Sequence, residues 1–184
     1  MKTPIHKTLF LLAMLHFGVH SQESNEIIAR QGSVSFFSYT SVEDIEATNN
    51  QVLSIIDVPK GEILVNMLMR AFVFKKALME EHFNESYVES DLYPELTFIG
   101  KIQDMKNPKL ENGTYLVSGE MDFHGVKKEI ELKIKVSKTP DSTVFQGQFE
   151  VPVKDFNIKI PALLSPNIAK NIQVEFRFEY FPYE

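Results

Sequence analysis

The chain has 184 residues, 43% of them hydrophobic, and a formal charge of -6. It contains no cysteine, which excludes disulfides, thiolate chemistry, zinc–cysteine sites and a lipid-bearing cysteine anchor. The acidic balance disfavours nucleic acid, whose phosphates recruit Lys and Arg, and disfavours electrostatic docking on anionic lipid heads.

The chain opens with the pattern of a secretory leader. Met1 to Thr8 carries Lys2 and Lys7 and no acid, and Leu9 to Val19 is an apolar run interrupted only by His16. Val19-His20-Ser21 fits a cleavage site. Residues 1–21 are therefore predicted to be a signal peptide and residues 22–184 a single exported domain. An apolar run of about 11 residues is too short to span a bilayer, which takes roughly 20. Losing Lys2 and Lys7 with the leader takes the formal charge from -6 to -8. An exported domain without disulfides relies on its core; of the chain's 15 Phe all but Phe10 and Phe17 lie in that domain, and with 6 Tyr they supply one.

Beyond the polar lead-in Glu23–Glu26 the dominant signal is alternation with period two, which predicts strands with one wet face. Val34, Phe36 and Ser38 open the sheet. Val42–Thr48 reads as a further strand, although Ser41 could instead cap a short helix there. Gln51–Asp57 follows, then Glu62–Arg70 with Ile63, Val65, Met67 and Met69 on the inner side. Phe74–Phe83 breaks the pattern. Phe74 with Leu78 and Met79 with Phe83 are spaced four apart, which predicts one amphipathic helix. Strands resume at Leu96, Phe98, Gly100 and Ile102. The next, Thr114–Phe123, places Tyr115, Val117, Gly119, Met121 and Phe123 on one side. In Lys127–Val136, charged residues alternate strictly with Ile130, Leu132, Ile134 and Val136. Thr143–Val151 offers Phe145, Phe149 and Val151, and the last strand, Gln173–Tyr180, offers Val174, Phe176, Phe178 and Tyr180. Pro59-Lys60-Gly61, Asn112-Gly113 and His124-Gly125 read as tight turns between these strands. This spacing predicts an antiparallel sandwich or barrel.

The stretch Lys154-Asp155-Phe156-Asn157-Ile158-Lys159-Ile160-Pro161 lies between the last two strands. An exposed loop has little need for Phe and two Ile together, whereas a loop crossing the mouth of an apolar cavity does. Three stretches in order carry a family resemblance. The first is Glu80-Glu81-His82-Phe83-Asn84-Glu85 leading through Tyr87 and Glu89-Ser90 to Tyr93-Pro94 and Thr97-Phe98. The second is Gly119-Glu120-Met121-Asp122-Phe123-His124-Gly125-Val126-Lys127-Lys128, and the third Val153-Lys154-Asp155-Phe156-Asn157-Ile158. Together they resemble the YceI-like family of secreted lipid-binding proteins, in a Phe- and Met-rich form similar to Bacteroidota-type members. The resemblance spans nearly all of residues 22–184. It implies an all-β fold with one helix: an extended, lipocalin-like antiparallel barrel of eight strands enclosing a polyisoprenoid or similar lipid. Pro161 and Pro166 punctuate the segment Asp155–Asn171, so the shape of the mouth is open at this stage.

The candidate ligand-contacting residues are Phe36, Met67, Met69, Phe98, Met121, Phe123, Phe145, Phe149, Phe156, Ile158, Phe176 and Phe178. Alternation alone leaves two readings, because an eight-stranded barrel can be packed solid or enclose a ligand. The resemblance favours a cavity, and Met suits an irregular guest. Burying about ten methylenes at ~0.8 kcal/mol each would supply ~8 kcal/mol before ordering costs, about micromolar affinity. No charged anchor or cofactor is required.

Chemistry-bearing residues are sparse. His82 stands beside Glu80, Glu81 and Glu85, but no second histidine lies four residues on, as a helical zinc motif needs. His124 reads as a turn residue. Lys154, Asp155, Asn157 and Lys159 stand where a head group or an irregular loop would use them. No metal, catalytic residue or nucleic-acid partner is indicated. The reading is a periplasmic or secreted binder or carrier of a long-chain, isoprenoid-like lipid, as monomer or homodimer, with Phe74–Phe83 and Asp155–Lys170 gating the ends. One rival is a ligand-free structural or stress-related envelope protein, with a filled interior and an outer apolar patch drawn from Phe37, Tyr39, Leu64, Leu68, Phe181 and Tyr183. Another is a lipid-modifying barrel enzyme, which needs a buried Glu or His at the inner end of the tube.

Overall fold

The computed structural model describes residues 25–40, 42–103, 110–161 and 168–182. The predicted leader, Ser41, Pro166 and Tyr183 lie outside the described residues. Among the described residues there are nine antiparallel strands: β1 (Glu26–Ser38), β2 (Ile45–Asp57), β3 (Glu62–Leu68), β4 (Val73–Phe74), β5 (Glu95–Ile102), β6 (Gly113–Phe123), β7 (Val126–Lys138), β8 (Thr143–Pro152) and β9 (Asn171–Pro182). The order around the sheet is β1-β9-β8-β7-β6-β5-β3-β2, and β2 returns to pair with β1. Eight strands thus close into a barrel, each paired with a neighbour on both sides over at least part of its length. The two-residue β4 pairs only with the first half of β2, through Ala47 and Thr48, and stands outside the ring.

The predicted alternation sets the inner face. On β3 Ile63, Val65 and Met67 are buried while Glu62, Leu64 and Leu68 are exposed; on β7 Leu132, Ile134 and Val136 are buried between exposed Lys and Glu. The expected strands Val42–Thr48 and Gln51–Asp57 are one strand. Asn49 and Asn50, between the two expected strands, continue the extended chain, and Asn49 is fully buried. Its Nδ2 donates to the Leu68 carbonyl at 2.9 Å, and its Oδ1 accepts the Gln51 N–H at 2.8 Å. The side chain substitutes for the ladder at the point where β2 leaves β3 and takes up β4. β1 begins earlier than the alternation suggests, because register shifts flanking Gly32 hide the period.

The helix is also displaced. α1 spans Ala77–His82 and runs into a single wide turn, Phe83–Tyr87. Phe74 belongs to β4, and Leu78 is 60% exposed, so the expected Phe74–Leu78 contact is absent. The π-shaped turn breaks the 3.6 period and brings Phe83 back onto the barrel. There the rings of Phe36, Phe72, Phe74 and Phe83 pack together with centroids 5.1 to 5.7 Å apart.

One end of the barrel is a solid floor. Tyr180 and Phe145 are fully buried with their rings 4.9 Å apart, edge to face. The Ser54 hydroxyl donates to the Leu64 carbonyl at 2.9 Å, so the Tyr180 O–H donates to Ser54 Oγ at 2.8 Å. Burial holds the Tyr180 hydroxyl protonated far above the usual tyrosine range, opposed only in part by its bond to Ser54.

Candidate functional site

Above the floor the barrel is hollow. A cavity of about 270 Å³ runs from Phe145, Val117 and Phe178 up to the four-ring cluster, α1 and the segment that follows β8. The wall is built from inward positions of all eight ring strands; β2 contributes Ile45 at the mouth, while its Val52 and Ile56 are buried off the cavity. Period-two patterning on strands tilted around a closed ring points one side chain in two at the same axis. An apolar tube follows from the sequence without any special motif.

Eleven of the twelve residues singled out from the sequence stand on this wall: Phe36, Met67, Met69, Phe98, Met121, Phe123, Phe145, Phe149, Ile158, Phe176 and Phe178. Phe156 does not line the cavity. It closes a short 3-10 turn, Val153–Phe156, and is buried against Phe123 with ring centroids 5.3 Å apart. The loop pattern placed an aromatic at the mouth but could not show that the turn carries its ring to the β6–β7 hairpin. Sequence reasoning did not single out Phe72 and Val88, which join the wall near the mouth. Phe72 follows a 3-10 turn, Met69–Ala71, where strand alternation no longer applies.

Polar groups are confined to the mouth. Ser38, Glu43, His82 and Tyr87 are the polar residues among the described wall. Most are already engaged or facing water. The Ser38 hydroxyl accepts the Ala169 N–H at 2.9 Å, Glu43 is ion-paired with Lys76, and His82 is exposed. Partial burial raises the Tyr87 hydroxyl above its ordinary value. Lys154, Asp155, Asn157 and Lys159 lie off the wall, with both lysines exposed. Among the described residues no cluster of His, Asp and Glu is arranged to hold a metal ion.

His124, expected as a turn residue, does more than turn. It and Gly125 form the β6–β7 turn with φ of 52° and 72°, the left-handed pair that suits a two-residue hairpin. Its imidazole is buried: Nδ1 donates to the Phe156 carbonyl at 2.9 Å, Nε2 lies 3.1 Å from Glu89 Oε2, and the Tyr93 ring packs at 4.5 Å. This clasp joins three segments that rim the mouth, but it stands outside the cavity. A general acid or base acting on a bound lipid would have to reach the wall, and this histidine does not.

Residues 25–180 match the model of the YceI-like domain. The chain belongs to the YceI-like family. Solved structures with the same fold include a polyisoprenoid binding domain from Saccharophagus degradans, implicated in plant cell wall breakdown. It is 15% identical, with a TM-score of 0.73, covering 88% of this chain and 100% of that one. BcnA from Burkholderia cenocepacia is 15% identical with a TM-score of 0.71, covering 80% and 95%. A YceI protein from Campylobacter jejuni is 14% identical with a TM-score of 0.64, covering 79% and 90%. A search of curated proteins gave no match. At these identities the likeness establishes the fold, and this YceI-like barrel must be read from its own cavity.

Proposed function

We propose that this YceI-like barrel binds one long-chain apolar lipid, of polyisoprenoid or similar type, and carries it in the periplasm or outside the cell. The observation that carries the reading is the distribution of polarity: the wall is apolar from floor to mouth, and polar side chains occur only at the rim. A hollow this apolar excludes water and rewards a hydrocarbon guest. A methylene takes about the room of a water molecule, ~30 Å³, so 270 Å³ accepts about nine of them. At ~0.8 kcal/mol each this gives ~7 kcal/mol, an affinity on the order of 10 µM. Further chain packed at the rim adds to it. The polyisoprenoid-binding description of the Saccharophagus degradans domain and the predicted leader support the same reading. The hollow interior weighs against a ligand-free structural role.

The test is organic extraction of gently purified protein followed by mass spectrometry, with uptake of a fluorescent isoprenoid alcohol by the stripped protein. A stoichiometric long-chain lipid in the extract and saturable uptake are expected. An empty extract together with no uptake would overturn the reading.

A further inference from the structure

The barrel wall has a seam. β7 pairs with β6 along almost its whole length, from Val126 to Val136, and β8 pairs with β9 from Thr143 to Pro152. β7 and β8 pair with each other only where Lys135–Lys138 meet Thr143–Gln146. Continuing that register would set Lys133 against Gln148, Leu132 against Phe149 and Ile130 against Val151, but among the described residues no ladder pair follows. The ladder stops next to Gly147, where the two backbones approach so closely that an added Cβ would stand 2.7 Å from the Lys133 carbonyl oxygen. The seam closes again at its upper end. There the turn after β8 crosses to the β6–β7 hairpin, and His124 holds the Phe156 carbonyl.

Burial of the wall is uneven. On β3, β5 and β6, inward side chains stay buried up to the mouth, as at Met67, Leu96, Met121 and Phe123. From β7 round through β8 and β9 to β1 they do not, Phe36, Val174 and Phe176 being half-buried. Val136, Ile134 and Leu132 are 1%, 2% and 9% exposed, but Ile130 in the same inward phase is half-buried; Phe145 is fully buried, but Phe149 and Val151 are half-buried. The less-covered part of the wall thus includes both banks of the seam. At the end of the barrel a flexible chain would have to thread past the rings of Phe36, Phe72, Phe74 and Phe83 and the helix above them.

We infer that the β7–β8 seam is a lateral doorway through which the hydrocarbon chain slips sideways into the barrel, with the His124 clasp as its upper hinge post. The inference rests on the lipid-binding reading. Backbone groups facing the seam need no ladder to be broken for the chain to pass, whereas passage through a continuous ladder such as β5–β6 or β8–β9 costs several hydrogen bonds.

The chain has no cysteine, so a thiol staple can be placed across the seam without background. Lys133→Cys with Gln148→Cys sets two exposed positions on opposite banks. Gln148→Cys with Glu175→Cys staples β8 to β9 at paired positions and serves as control. If the seam thiols do not oxidise, a short bismaleimide closes the same positions. The probe is farnesol carrying an anthraniloyl fluorophore, followed by stopped-flow uptake and release. The closed seam staple is expected to slow both rates by about tenfold or more, with reduction restoring a disulfide staple, while the β8–β9 staple leaves them unchanged. Equal rates with the seam closed and open overturn the doorway alone. A reduced protein that takes up no probe overturns the lipid-binding reading and the doorway with it. Hydrogen exchange supplies a measure on the unaltered chain: amides of Lys127–Lys133 should exchange in part faster than those of β6 and become protected on loading. Uniform protection along β7 in the empty protein would also overturn the proposal.

Discussion

Replacing Tyr180 by Phe isolates one hydroxyl in the barrel floor. At neutral pH the substitution removes the bond from the Tyr180 O–H to Ser54 Oγ, while the Ser54 hydroxyl keeps its bond to the Leu64 carbonyl. No buried donor is orphaned, so the loss should be only ~1 kcal/mol. Alkaline pH reverses the balance. An unfolded tyrosine loses its proton from about pH 10, whereas burial keeps the folded Tyr180 protonated well above that. The folded state then binds more protons than the unfolded one, and stability falls with rising pH by about 1.4 kcal/mol per unit. Tyr180→Phe lacks this loss, while lysines and other tyrosines contribute alike to both proteins. The variant should therefore be less stable at pH 7, equal the parent between about pH 10.5 and 11, and exceed it above. Urea denaturation followed by far-ultraviolet circular dichroism across that range reads the crossing. Curves that stay parallel to pH 11.5 would refute the reasoning.

Three further substitutions probe the cavity, the clasp and the ladder fork. Val117→Phe fills the lower end of the hollow. Displacing about two methylenes of guest should weaken binding by ~1.6 kcal/mol, roughly fifteenfold, for long chains and less for short ones, as read by titration with alcohols of graded length. His124→Asn keeps a residue tolerant of φ 52° but cannot bridge Phe156 and Glu89 together. It should cost about 1–3 kcal/mol in urea denaturation. Asn49→Ala leaves the Leu68 carbonyl and the Gln51 N–H without their side-chain partner. It should cost about 2–3 kcal/mol and loosen β4, seen as faster hydrogen exchange at Val73 and Phe74.

Much of the barrel was legible because period two needs no tertiary information. The charged–apolar alternation of Lys127–Val136 fixes which side of β7 faces in, and the same holds for β3, β6 and β9. What escaped were places where a side chain or a non-ladder turn overrides the period. Asn49, left between two expected strands, is a buried surrogate for backbone pairing inside one. Phe74 fits a helical stripe but is captured by β2, because a two-residue bridge to Ala47 and Thr48 costs little and buries the ring on Phe36. Phe156 fits a cavity lip but is taken by Phe123. The hollow itself could not be read from alternation, since a filled and an empty barrel share one pattern. The incomplete β7–β8 ladder is likewise invisible, because both strands alternate cleanly to their ends.

The attachment of β4 and α1 outside the closed ring has a consequence for how this protein can change. The eight-stranded circuit is complete through the β1–β2 and β2–β3 ladders, so the appended flap from Val73 to Val88 can melt and reform as its own small cooperative unit while the barrel stays intact. Substitutions at its exposed positions, such as Leu78, should therefore weigh little on the global folding equilibrium. The cover over the cavity can thus change at those positions while the staves beneath it stay the same.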